Sequence, residues 1–146
     1  MSLFSALAVS GSGMSAQRSR AELLVENLAN ADTTRTAEGG PYRRKDVVFQ
    51  SAPVDTVSFS SVLDGTMGQS AQGVTVSEVT IDERDPERRY LPGHPDSDAN
   101  GYVAYPRINP AEDMVDLMGA SRGYEANVAA ISAVKDMLQR SIDLLR

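Results

Sequence analysis

The only imidazole in the chain stands in a stretch that could hold a cation: Tyr90-Leu91-Pro92-Gly93-His94-Pro95-Asp96-Ser97-Asp98-Ala99-Asn100-Gly101-Tyr102. His94, followed at two-residue intervals by Asp96 and Asp98, offers one nitrogen and two carboxylates, donors that zinc or another divalent ion accepts. The spacing matches no helical His pair. The likeness to a calcium loop is superficial, because the glycine position and terminal glutamate of such a loop are missing. Pro92, Gly93, Pro95 and Gly101 describe a shaped turn instead, with Asp and Asn side chains capping backbone groups. Tyr90, His94, Pro95, Asp96, Asp98, Gly101 and Tyr102 are therefore read as a structural loop. The alternative is a metal-binding module or metal-dependent enzyme built on His94, Asp96 and Asp98.

The remaining chemistry is sparse. There is no cysteine, which excludes disulfides, thiolate ligands and thiol catalysis without fixing a compartment. A hydrolytic triad or zinc site would have to use His94, and no phosphate loop, nucleophile elbow or paired-His motif occurs. No catalytic, cofactor-binding or metal-ligating residue is assigned, and no cofactor or small-molecule substrate is expected. Twenty acidic against fourteen basic side chains give a formal charge of −6, the wrong sign for a nucleic-acid groove. The basic runs Arg43-Arg44-Lys45 and Arg88-Arg89 sit beside Asp46 and beside Asp82, Glu83, Asp85 and Glu87, which suits salt-bridged loops or a charged subunit contact. No apolar stretch approaches the roughly 20 residues of a transmembrane helix, and the N-terminus lacks the basic region of a cleaved secretory signal.

The elements that must position these residues fall into three segments. From Leu3 to Leu28 two rows recur at sevens, Leu7, Met14, Ala21 and Leu28, and Leu3, Ser10, Gln17 and Leu24. This predicts an amphipathic helix, weakened by Gly11 and Gly13 at about 1 kcal/mol each relative to Ala. Residues 32–108 hold six of the seven prolines, seven of the eleven glycines and six of the eight aromatics, a composition of turns and short strands. Strand-like runs are Asp46-Val47-Val48-Phe49, Val57-Ser58-Phe59 and Val74 to Ile81. In the last, the apolar phase slips between Val76 and Val79, as a β-bulge or a break would cause. Asn109-Pro110-Ala111-Glu112 then supplies an N-cap, a proline at the first helical position and a capping-box glutamate. Behind it Met114, Leu117, Ser121, Tyr124, Val128, Ile131, Lys135, Leu138, Ile142 and Leu145 hold a 3-4 spacing to the end of the chain.

A helix over residues 110–146 would run about 55 Å, whereas a compact chain of this length has a radius of gyration of only about 15 Å. The expected fold class is therefore α+β, with long N- and C-terminal helices packing in coiled-coil fashion and a small, irregular β-rich module inserted between them. The expected division is a helical assembly domain of residues 1–31 and 109–146 and an inserted module of residues 32–108. A two-helix stalk leaves Leu24, Val25, Met118, Val134 and Met137 partly wet, beside or off its seam, so helices from other subunits are expected to cover them. The assembly interface is read as Leu3, Leu7, Met14, Leu24, Leu28, Met114, Leu117, Tyr124, Val128, Ile131, Leu138, Ile142 and Leu145, in a helix core built from this chain and its neighbours. Gly119 and Gly123, one turn apart, either weaken the C-terminal helix or let another backbone approach closely; the first is favoured.

Four segments resemble the bacterial flagellar basal-body rod proteins of the rod and hook axial family. They are Ser12-Gly13-Met14-Ser15-Ala16-Gln17-Arg18 leading to Glu26-Asn27-Leu28-Ala29-Asn30-Ala31-Asp32-Thr33; Pro41-Tyr42-Arg43-Arg44-Lys45; Tyr90 to Val103 with its His94-Pro95-Asp96 core; and Arg122-Gly123-Tyr124-Glu125-Ala126-Asn127-Val128. The resemblance implies a non-enzymatic subunit of the proximal rod, exported by the flagellar type III system without signal cleavage. It further implies that the terminal helices pack into the wall of a hollow helical tube and carry torque. The implied neighbours are copies of itself, the rod proteins FlgB, FlgF and FlgG, the adaptor FliE and the membrane-supramembrane (MS) ring.

Overall fold

A computed structural model describes residues 3–54 and 71–144. The chain forms α1 (Leu3–Ala29), β1 (Lys45–Pro53), β2 (Gln72–Ile81), β3 (Glu87–Tyr90), β4 (Tyr102–Tyr105) and α2 (Pro110–Asp143). It is thus a mixed α+β protein. β1 pairs with β2 and β3 with β4, in two separate two-stranded sheets. The strand expected at Val57-Ser58-Phe59 and the position of Leu145 lie outside the described residues.

Local chemistry explains the element ends. Asn109 caps α2: its Oδ1 accepts from Ala111 N at 3.2 Å and its carbonyl from Asp113 N at 3.0 Å. The return bond from Glu112 that a capping box requires is absent among the described residues, and Glu112 is exposed. At the end of α1, Asn30 N is shared between the carbonyls of Glu26 and Asn27, while Asn30 Nδ2 donates to Glu26 O at 2.9 Å. These bonds satisfy carbonyls that the helix end leaves free.

β2 runs unbroken through the phase slip. At its two ends Val54 N donates to Ala71 O, and Asp82 N to Arg44 O. Between those bonds β1 advances ten residues and β2 eleven. One extra residue on β2 is a β-bulge, which shifts the alternation by one so that the apolar side chains before and after the slip can keep to one face. The second hairpin pairs Glu87 with Tyr105 and Tyr90 with Tyr102 in regular antiparallel register.

Packing divides the chain into two compact units. One comprises Met1–Ser19, Phe49–Ser77 and Ala120–Arg146, the other Arg20–Val48 and Glu78–Gly119. The buried apolar side chains of the first are Ala16, Ala120 and Val134; those of the second are Leu24, Tyr42 and Val103. Both cores are thin, and the second also encloses Asn27 and Asp113. Many large apolar side chains are exposed, among them Phe4, Met114, Val115, Met118 and Leu144. Among the described residues no helix is long and apolar enough to cross a membrane.

Candidate assembly surface

On each helix the covered face is turned from the apolar rows read in the sequence. In α2, Leu117, Ile131 and Leu138 are half-buried, as that row would have it, but their companions are Asp113, Ala120, Asn127 and Val134. Met114, Tyr124, Val128 and Ile142 stay exposed, at 51, 42, 42 and 59 %. In α1, Leu24 is buried and Leu7, Met14 and Leu28 are half-buried, while Leu3 is exposed. The best covered positions of α1 include Ala16, Leu24 and Asn27. Apolar periodicity finds the shared row and misses the second, because that second row is built from glycine, alanine and hydrogen-bonded polar residues.

In the first unit the two helices meet through reciprocal glycine contacts. A Cβ added at Gly13 of α1 would stand 2.9 Å from Asn127 Oδ1 of α2, and one at Gly123 would stand 3.1 Å from Gln17 Cδ. The pairs run in opposite directions along the chain, so these segments are antiparallel. Gly123 is therefore not a mere helix weakener, and the expectation above is corrected: its missing side chain is the space that Gln17 fills. Gly119, with nothing within 4 Å, shows no such contact. Ser12 joins β2 to α1 by accepting from Val74 N at 3.0 Å while its hydroxyl donates to Val9 O at 2.7 Å. Gly73 lets β2 approach, since a Cβ there would lie 2.7 Å from Ser12 Oγ.

The second unit is held by buried polar groups that no periodicity reveals. Asn27, fully enclosed, donates through Nδ2 to Lys45 O at 2.8 Å; its Oδ1 accepts from Lys45 N at 2.9 Å and Tyr42 OH at 3.0 Å. This side chain pairs with the start of β1 as a strand neighbour would. Burial, with the Glu26 carboxylate beside it, pushes the Tyr42 phenol up to about 12. Arg44 Nη1 donates to Asp113 Oδ1 at 2.7 Å, and Arg44 Nε reaches Asp46 at 3.1 Å. Asp113 Oδ2 is buried with no hydrogen-bond donor. Burial pushes the Asp113 carboxyl above its ordinary value against the pull of Arg44. Arg20 and Asp116 form a looser pair at 3.8 Å.

In the loop from Tyr90 to Tyr102 the three possible ligands turn to separate tasks. His94 Nδ1 accepts from Asp96 N at 3.1 Å, and Asp96 Oδ2 accepts from Thr34 Oγ1 at 2.8 Å. Asp98 Oδ1 accepts from Asn100 N and Tyr102 N, bonds that hold its carboxyl below the ordinary range, the one from Tyr102 first. Gly101 takes a positive φ of 82° under the Tyr90 ring, 2.9 Å from where a Cβ would stand. Tyr90 and Tyr102 meet edge to face at 5.3 Å. Pro95 is exposed. Among the described residues no three His, Cys, Asp or Glu side chains converge on a point that could hold a metal, so the metal alternative finds no support.

Three of the four segments singled out in the sequence thus meet. Gly13 and Gln17 face Gly123 and Asn127 in one unit; Asn27 faces Tyr42 and Lys45 in the other. Across the whole chain, the sequence is 44% identical over 151 residues to the flagellar basal-body rod protein FlgC of Bacillus subtilis, covering 99% of both. The chain belongs to the FlgC family of flagellar basal-body rod proteins. It is 39% identical to the FlgC protein of Borreliella burgdorferi over 154 residues, covering 100% of this chain and 99% of that one. The FlgC protein of Salmonella typhimurium is likewise 39% identical, over 145 residues, with 99% and 98% covered. Residues 99–144 match the family described as flagellar basal body rod FlgEFG protein C-terminal. Each of the polar hydrogen bonds above closes within the described residues of the chain.

Proposed function

We propose that the chain is a non-enzymatic structural subunit of the proximal rod of the flagellar basal body. In this reading residues 1–31 and 109–146 form the assembly domain, and residues 32–108 are the inserted module. The terminal helices pack in coiled-coil fashion with those of neighbouring subunits into a helical tube, which forms the export channel wall and carries torque. The neighbours are further copies, the rod proteins FlgB, FlgF and FlgG, the adaptor FliE and the MS ring. The subunit reaches the periplasmic space through the flagellar type III system with its N-terminus uncleaved.

Full-length likeness to rod proteins carries this reading. Its physical support is the open apolar face of α2, where Met114, Val115, Met118 and Val128 lack cover within the chain. The assembly surface is Leu3, Leu7, Met14, Leu24 and Leu28 on the first helix. On the second it is Met114, Leu117, Tyr124, Val128, Ile131, Leu138, Ile142 and Leu145. Deleting the gene tests the reading: flagella and motility should vanish and return on complementation. A deletion strain that builds normal flagella would contradict it.

A further inference from the structure

We propose that Gly13, Gln17, Gly123 and Asn127 form a register lock, which makes α1 accept an α2 of this sequence in one antiparallel register over other registers and other amphipathic helices. The lock is reciprocal. Each helix presents one glycine and, one turn later, one amide side chain, and each amide lies against the glycine of the other helix. A seam of leucines alone offers no such mark, since sliding it by a heptad restores similar contacts. Here sliding α2 one heptad either way sets Asn127 against Ala6 or Gln17 against Ala130. A methyl then occupies the space where a Cβ would already stand 2.9 or 3.1 Å from the amide.

Two observations show that the quartet serves specificity over stability. Gln17 Oε1 is buried without a hydrogen-bond partner. An apolar side chain of that size would avoid the desolvation cost, so the glutamine lowers stability at its position. A polar residue in a helical seam is the best attested way to fix register and partner at such a cost. The second observation is the fixing of Asn127, whose Nδ2 donates to Gly123 O at 2.8 Å and so turns Oδ1 toward Gly13. Gly123 does two things at once: its carbonyl orients one amide and its bare Cα receives the other. The use of the lock rests on the assembly reading, in which the subunit is surrounded by similar helices. Its existence does not, and the test uses the purified full-length chain, independent of motility.

The purified chain is unfolded, refolded and cross-linked, and the share of α1 to α2 links displaced by a heptad from the Gly13–Asn127 register is read by mass. Gln17→Leu with Asn127→Leu should raise the displaced share on the order of fivefold while holding or raising the thermal midpoint. Exchanging one pair instead, Gly13→Asn with Asn127→Gly, should keep the share near that of the parent. A second measurement stands if the leucine variants fail to fold. Gly123→Ala should lower the midpoint, and Gln17→Ala in the same chain should restore about half of the loss or more. An unchanged displaced share in folded leucine variants, or strictly additive losses in the alanine pair, would overturn the proposal.

Discussion

Replacing Arg44 isolates the most buried ion pair among the described residues. Arg44 Nη1 lies 2.7 Å from Asp113 Oδ1, the Asp113 side chain has no exposed surface, and its Oδ2 has no donor. Arg44→Met keeps the stem and removes the only cation that touches this carboxylate among the described residues. Breaking a buried pair from one side costs about 3–5 kcal/mol, a large share of the roughly 5–15 kcal/mol that holds a domain together. At roughly 3 °C per kcal/mol for a chain of this size, the thermal midpoint should fall by about 9–15 °C. Arg44→Met with Asp113→Leu should recover most of that loss, because two apolar side chains leave no charge behind.

The pH dependence gives a second check with a definite sign. Burial raises the folded pKa of Asp113 above its ordinary 3.8, so the folded state holds more protons than the unfolded one in the window between those values. This carboxyl therefore disfavours folding at neutral pH, and the penalty is relieved as pH falls through the raised value toward 3.8. The defect in Arg44→Met should shrink on acidification through that window. Asp82 works oppositely: Arg84 holds it down to about 2, so its stabilisation is present above the ordinary carboxylate pKa and lost as pH falls toward 2. The assay is thermal and denaturant unfolding of both variants at neutral and mildly acidic pH. A loss under about 1 kcal/mol for Arg44→Met, typical of a surface pair, or a defect that grows on acidification, would refute the reasoning.

Three further outcomes follow from the same structure. Asn27→Ala strips partners from Lys45 N, Lys45 O and Tyr42 OH and should cost at least about 3 kcal/mol, at 1–3 kcal/mol per stranded group, read as a shift in the denaturant midpoint. His94→Asn should leave function closer to intact than Tyr102→Ala, since His94 accepts one local bond whereas the Tyr102 ring packs on Tyr90; motility on soft agar ranks them, and the reverse order would revive a chemical role for His94. Ile131→Asp, at a half-buried seam position, should block rod assembly, the loss of the buried side chain alone costing about 2–5 kcal/mol, whereas Asp136→Ala on the exposed face should be tolerated; normal rods with Ile131→Asp would overturn the packed seam.

Both long helices were legible because Asn109-Pro110 marks a start and leucines at sevens mark a face. The slip at Val76 to Val79 was legible as a bulge or a break, and the backbone bonds decide for the bulge. The hidden part was the second row of each helix. Asn27 and Asp113 look solvent-facing to any scale that equates polarity with exposure, and only long-range partners such as Tyr42, Lys45 and Arg44 make them interior. Gly13 and Gly123 carried a readable signal, since each stands four residues from an amide, yet nothing local says that the two pairs meet. The loop around His94 was recognisable as a shaped turn from its prolines and glycines. That Asp96 would reach Thr34, sixty-two positions away, was not.

The absence of cysteine from the chain makes its central claim directly measurable, because any introduced thiol is the only one it carries. Single cysteines at Met114, Val128 and Ile142, exposed in the chain alone, report whether that face of α2 is covered by other subunits. Maleimide labelling is compared between the purified chain and purified basal bodies from cells carrying the same variants, with Asp136→Cys as the exposed reference on the same helix. Rapid labelling is expected at all four positions in the free chain, and strong protection of the first three, relative to position 136, in basal bodies. Equal reactivity of Met114→Cys, Val128→Cys and Ile142→Cys in both preparations, with the subunit present in the rod, would contradict the claim.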